Sequence, residues 1–201
     1  MTTSAGSPFP HGAGVAIPIR AFALGKVRLA GHLSDSARVD LARRCADAVV
    51  DAAGELPVVI VSSDPAVREW AATRSLDALD DPGSLDLAAD AGRAWVASRG
   101  GIRVVVAHAD LPRARTFDAL AHDGARDVVA LVPCHRDDGT PVLSVPVALD
   151  FRFGYGPGSF RRHAAEARRV GVAVRVVRDP DLAFDVDLPA DLRALDGLGS
   201  R

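Results

Sequence analysis

Lysine is almost missing from this chain: of 24 basic residues only Lys26 is a lysine, and the rest are arginines. A position that keeps lysine where arginine serves everywhere else marks a site suited to a compact ammonium on a flexible stem. Cysteine is scarce as well. Cys45 lies in a helical pattern and Cys134 follows a strand-like run, which excludes a disulfide framework and any thiolate metal spacing. Both are expected as buried, reduced thiols of a cytoplasmic protein. There is no excess of positive charge: 24 basic residues face 26 acidic ones, for a net charge of −2. That argues against a generic nucleic-acid binder. No apolar run approaches the length of a membrane span. Residues 1–14 are rich in Ser, Gly and Pro without an apolar core, and read as a disordered lead-in rather than a secretory signal.

What the chain does have is 48% hydrophobic residues in 201, enough for one domain, placed here at 15–196 with a tail at 197–201. Val15–Ile19, Pro57–Val61, the valines 104–106, Asp127–Val132, Val142–Pro146 and Val172–Val177 read as strands, with Ser75–Leu79 a shorter candidate. Most are continuous apolar runs, the pattern of strands covered on both faces. Pro146, inside one of them, points to an edge or a bulge. Ser34 or Asp35 caps a helix to about Ala53 that turns Val39, Leu41, Ala42, Cys45, Ala46, Val49 and Val50 inward. Pro65 opens a second helix through Trp70. A third packs Leu87, Ala91, Ala94 and Trp95 on the core, and others follow at about 115–122, from Ser159 to about 169, and after Pro189. Strands alternating with helices predict an α/β fold with a mostly parallel sheet.

The chemistry-bearing residues sit at the ends of these strands. Asp110 falls just past the carboxyl end of the 104–106 strand, the edge where open α/β sheets bind ligands. A loop-capping role and a divalent-metal role are both open to it. The loop after the first strand carries Gly25, Lys26 and Arg28, either a triphosphate cradle or cations on a solvated turn; it lacks P-loop spacing. Ser62 and Ser63 could touch a base or ribose, or cap the following helix. The segment 151–163 places Gly154, Gly156, Pro157 and Gly158 ahead of a helix whose first turn holds Ser159, Arg161 and Arg162. It reads as an anion-binding helix N-terminus, with backbone amides, a hydroxyl and two guanidinia on offer. Asp185 and Asp187, one residue apart, point to the same side of an extended chain. Held that close they repel unless a cation neutralises them, which favours a metal over a solvated acidic turn.

Taken together, Gly25-Lys26-x-Arg28-Leu29, Ala109-Asp110-Leu111-Pro112, Asp138-Gly139-Thr140, Arg152-Phe153-Gly154 through Ser159, and Phe184-Asp185-Val186-Asp187-Leu188-Pro189-x-Asp191-Leu192 recur in that order. The set resembles the guanylyltransferases of coenzyme F-420 biosynthesis over about Val15 to Leu195. The resemblance implies a Rossmann-like, GT-A-like nucleotidyltransferase fold, a three-layer sandwich around a mixed, mostly parallel sheet. It implies transfer of GMP from GTP to the phosphate of a small phospho-acid, with release of pyrophosphate. Asp110, Asp185 and Asp187 would hold Mg2+, Lys26 and Arg28 would meet the triphosphate, and Thr140, Gly156 and Ser159 would hold the acceptor, with Arg161 beside them. Phosphoenolpyruvate is the acceptor expected first, because the alanine- and arginine-rich composition fits the bacteria in which that variant is expected. 2-Phospho-L-lactate and 3-phosphoglycerate are its alternatives. Pro141-Val142 departs from the usual small or polar pair after Thr140, so the shape of the acid pocket stays open. Outside this family stand a sugar-phosphate or molybdopterin-type nucleotidyltransferase, and a GTP sensor without turnover. A phosphate nucleophile is already ionised near neutral pH, so no general base is needed and His108, His135 and His163 read as structural. Neither a nucleic acid nor a membrane is an expected partner, and the oligomeric state, a homodimer included, is open.

Overall fold

The computed structural model describes Phe9 and residues 12–122 and 127–196. The chain runs β1 (Ala13–Pro18), a 3-10 turn (Val27–Leu29), α1 (Asp35–Asp51), β2 (Val58–Val61), α2 (Pro65–Thr73), β3 (Asp77–Leu79), α3 (Leu85–Ser98), β4 (Arg103–Ala107), α4 (Asp118–Ala121), β5 (Val128–Val132), β6 (Val142–Pro146), α5 (Ser159–Arg169), β7 (Ala173–Val176) and α6 (Pro189–Asp196). Seven strands form one sheet in the order β3-β2-β1-β4-β6-β5-β7. Only β6 runs against its neighbours, pairing antiparallel with β4 and β5, while β1, β2, β3 and β4 pair in parallel, as do β5 and β7. The sheet is therefore mixed and mostly parallel.

Strand periodicity builds the layers, because successive side chains leave opposite faces. Val15, Ile17, Val105, Ala107, Ala130 and Val132 enter one core with α1, α2 and α4. Ala16, Val104, Val106, Val129 and Leu131 enter the other with α3 and α5. A third, smaller cluster gathers Leu29, Leu41, Cys45, Phe184 and Val186, with Leu192 and Leu195 against it. It pins the 3-10 turn, α1, the 184–186 segment and α6 together, and so carries the loops of the site.

Three expectations need correction. β6 is an interior strand, not an edge: Pro146 is its last residue, opposite Arg103, where a missing N–H interrupts little of the ladder. α3 turns Ala88, Ala89, Gly92, Trp95 and Val96 inward, and Leu87 is left 51% exposed. The rotation follows from Gly92, whose missing side chain lets the helix lie on Ala16; a Cβ there would stand 2.3 Å from the Ala16 Cβ. The lead-in ends earlier than its sequence suggests. β1 begins at Ala13, and Phe9 is buried edge-to-face against Trp95, ring centroids 5.6 Å apart. The other lead-in residues before Gly12 and the 197–201 tail lie outside the described residues. Among the described residues no helix is long and apolar enough to cross a membrane.

Candidate active site

The carboxyl ends of β1 to β4 open onto a cleft of about 950 Å3, lined among others by Arg20, Gly25, Lys26, Ser63, Ser84, His108, Asp110 and Asp187. Asp110 reaches it because β4 ends at Ala107 and the chain turns directly afterwards. The 185–187 segment is laid alongside: the Val186 N–H donates to the Asp110 carbonyl at 3.2 Å. Asp110 is thus brought to the Asp185 and Asp187 pair, which lies far later in the chain.

Lys26 stands among them. Its backbone is left-handed (φ 59°), and its side chain is 5% exposed. Nζ lies 3.3 Å from Asp110 Oδ2 and 3.7 Å from Asp187 Oδ1, and Arg28 approaches Asp187 from the open side at 3.8 Å. Burial by itself would strip charge from both members of the central pair. The attraction of Asp110, then of Cys45 and Asp187, nevertheless holds the Lys26 ammonium above the ordinary lysine range. Burial pushes the Asp110 carboxyl up, but the charges of Lys26 and then His108, with the hydrogen bond from Lys26, together hold it below the usual range. Asp185 behaves oppositely: burial, and next the like charges of Asp110 and Asp187, push it up.

Behind these carboxylates lies a support that sequence reasoning missed. Asp191, 5% exposed, accepts the backbone N–H groups of Asp187 at 3.0 Å and Leu188 at 2.7 Å. Arg136 forks onto both of its oxygens at 2.7 and 2.6 Å and approaches Asp185 at 3.4 Å. His135 Nδ1 lies 3.0 Å from Asp185. The D-x-D-x-P-x-D spacing was the available signal for Asp191; nothing local marked Arg136 or Arg20.

The residue set suits a hard cation. Asp110 Oδ1 is buried with no hydrogen-bond partner, and an anionic oxygen left so is costly unless a cation or donor reaches it. Carboxylate oxygens are what Mg2+ prefers. Among the described residues, however, no three His, Cys, Asp or Glu side chains form a ready-made ligand set, and Lys26 stands between Asp110 and Asp187.

The expected acceptor residues form a second group at the same sheet edge, outside the cleft lining. The His108 N–H donates to the Pro141 carbonyl at 2.9 Å, which sets Thr140 beside the end of β4. Ser159 Oγ stands 3.5 Å from Thr140 Oγ1, and both residues are buried. The two groups touch through rings: His108, on the cleft wall, lies 5.2 Å from Tyr155, which lies 4.8 Å from His163. The helix N-terminus departs from the anion nest that the sequence suggests. Its amides are spent internally: Gly158 N–H on Asp138 Oδ1, Phe160 N–H on the Asp138 carbonyl, and Ser159 N–H on the Gly156 carbonyl. Arg162 is spent too, on the carbonyls of Gly154, Tyr155 and Pro157. Gly156 shapes the turn at φ +99°, and Arg161 is exposed beside it. The two serines after β2 brace loops: Ser62 Oγ accepts the Asp64 N–H, Ser63 Oγ accepts the Asp81 N–H, and Asp64 caps α2.

A phosphoenolpyruvate guanylyltransferase of Sphaerobacter thermophilus is 37% identical to this chain over 190 residues, covering 90% of it and 91% of that protein. A 2-phospho-L-lactate guanylyltransferase of Methanothermobacter thermautotrophicus is 31% identical over 186 residues, 88% of this chain and 80% of that one. The fold resembles the crystal structure of a putative nucleotide-diphospho-sugar transferase from Desulfovibrio desulfuricans G20, with a TM-score of 0.72 at 17% identity over 94% of this chain and 88% of that one. The fold is therefore that of the nucleotidyltransferases. The family described as guanylyl transferase CofC like matches residues 13–199, and the chain belongs to that family.

Proposed function

We propose that this protein transfers GMP from GTP to the phosphate of phosphoenolpyruvate, releasing pyrophosphate and giving enolpyruvyl-diphospho-guanosine. The observation that carries the reading is the meeting of Asp110 with the 185–187 segment around Lys26 at the mouth of the cleft, in a chain of this family. Asp110, Asp185 and Asp187 would hold Mg2+, which when bound neutralises the triphosphate and renders the α-phosphorus open to attack. Lys26 and Arg28 contribute positive charge to the triphosphate, and Arg20 extends that charge along the cleft wall. Thr140 supplies a hydroxyl donor for the acceptor's phosphate, Ser159 stands against it in the same pocket, Gly156 keeps the loop close to it, and the exposed Arg161 adds charge.

The reaction needs no covalent intermediate. An oxygen of the acceptor phosphate forms a bond to the α-phosphorus, the bond to the bridging oxygen of the β-phosphate breaks, and pyrophosphate departs with that electron pair. The acceptor phosphate has a second pKa of about 6 and is ionised at working pH, so no side chain has to remove a proton. The task left to the chain is to bring anions into line, which is why its cations converge on this edge. The reading describes a cytoplasmic enzyme.

The test is direct. The protein is incubated with GTP, Mg2+ and, separately, phosphoenolpyruvate, 2-phospho-L-lactate and 3-phosphoglycerate, and pyrophosphate release is followed. Release is expected with phosphoenolpyruvate foremost. Silence with all three acids ends the proposal, and release with another acid alone reassigns the acceptor.

A further inference from the structure

His163 is wholly buried in α5, yet neither of its ring nitrogens is idle. Nε2 lies 3.0 Å from the Gly154 backbone N–H, and Nδ1 lies 3.1 Å from Thr140 Oγ1. A backbone N–H can only donate, so Nε2 has to be the bare nitrogen of the ring. A neutral imidazole has one donor and one acceptor, which leaves the proton on Nδ1, directed at Thr140. Burial, with the nearby charges of Arg162 and His108, lowers the ring's pKa to about 4, so the neutral form persists at neutral pH.

That decides the state of the next group in the chain. The Thr140 hydroxyl has one hydrogen and two acceptor directions. One direction takes His163 Nδ1–H, and Ser159 Oγ approaches as a donor at 3.5 Å. The Thr140 hydrogen is thereby turned away from both neighbours.

We propose that His163 is a positioning residue of the acceptor pocket: by donating Nδ1–H to Thr140 Oγ1 it fixes the Thr140 hydroxyl as a donor to the acceptor's phosphate. This rests on the reading that Thr140 serves that phosphate. His163 touches no substrate itself. It also packs against Tyr155 and Phe151, ring centroids 4.8 and 6.0 Å away, so loss of packing has to be separated from loss of orientation.

Two substitutions separate them. His163→Gln keeps an acceptor for the Gly154 N–H and loses the donor to Thr140, whereas His163→Asn keeps a donor near Nδ1 and loses the acceptor. With KM and kcat measured for phosphoenolpyruvate and GTP, His163→Gln should raise the phosphoenolpyruvate KM about tenfold, one hydrogen bond to a charged group. The KM for GTP should stay within about twofold, and His163→Asn should recover most of the loss. Thr140→Val should raise the same KM, and adding His163→Gln to it should cost nothing more, because the histidine acts through that hydroxyl. An unchanged KM in His163→Gln, or additive losses in the double variant, overturns the role of His163. An unchanged KM in Thr140→Val removes the acceptor-pocket assignment beneath it, a different failure. Should the His163 variants not fold, 15N NMR of the wild-type ring decides: a proton on Nδ1 at pH 7 supports the proposal, and one on Nε2 overturns it.

Discussion

The ammonium of Lys26 lies 3.3 Å from Asp110 Oδ2, and this pair joins the loop after β1 to the end of β4. Lys26 is the buried counter-ion between Asp110 and Asp187, with Arg28 and Arg136 set farther out. Removing Lys26 leaves Asp110, Asp185 and Asp187 to repel one another. In EDTA, Lys26→Met should lose about 3 kcal/mol by thermal or urea unfolding, the range for breaking a buried pair. Millimolar Mg2+ should restore part of that loss. A variant as stable as the wild type in EDTA would show the pair to be incidental.

Asp110→Asn keeps the shape of the side chain and removes its charge. Guanylyl transfer should fall by at least about 100-fold, since metal-held phosphates account for several kcal/mol of such barriers. Circular dichroism should be unchanged. Near-normal turnover would remove Asp110 from the proposed metal site.

Asp191 is expected to matter for both folding and metal affinity. Truncation to Ala removes the acceptor for the Asp187 and Leu188 N–H groups and frees Arg136. The cap alone contributes about 1 kcal/mol, and the severed, part-buried ion pair adds to it, so about 1–3 kcal/mol should be lost in urea titration. Mn2+ binding followed by electron paramagnetic resonance should weaken about tenfold as the 185–187 turn loosens. Wild-type Mn2+ affinity in this variant would remove Asp191 from the support of the site.

The buried His163 gives a pH signature whose sign is fixed. Its pKa is about 4 in the fold against 6.5 for the free side chain, so the unfolded chain takes up the proton first. Stability is whole above pH 6.5 and drains as pH falls toward 4, by about 3 kcal/mol. Asp110 and Asp191, whose carboxyls are held below the usual range, lose their contributions only at still lower pH. Urea midpoints at pH 7 and pH 4.5 should therefore converge in His163→Asn relative to the wild type. Equal acid sensitivity in both proteins contradicts this assignment.

Gly92→Ala tests the contact that sets α3. In a helix interior, alanine is normally about 1 kcal/mol better than glycine. Here the added Cβ would stand 2.3 Å from the Ala16 Cβ, and overpacking costs about 1–3 kcal/mol. Net destabilisation is expected in thermal melts; a rise in Tm would mean that α3 lifts away freely.

Much of the molecule was legible in its residues because the relevant physics is local. Unbroken valine runs mark strands covered on both faces, and they alternate with amphipathic helices. Ser34 capping α1 and Pro189 opening α6 are sequence-level signals that the structure keeps. Asp110 could be named for the same reason, since a carboxylate just past a strand's end is visible from order alone, and Asp185 and Asp187 could be named from their one-residue spacing. The chain by itself thus determined the α/β class and the chemical vocabulary of the candidate site: one lysine, three aspartates, a glycine-rich turn. Tertiary structure alone decided which groups meet. That Pro146 ends an interior strand, that α3 rolls Leu87 outward, that Asp138 takes up amides at the start of α5, and that Arg136 braces Asp191 all depend on partners far away along the chain. The reason is physical. Propensity and periodicity act within one turn or one strand, whereas hydrogen-bond partners and ion pairs are assigned by sheet order, which periodicity does not encode.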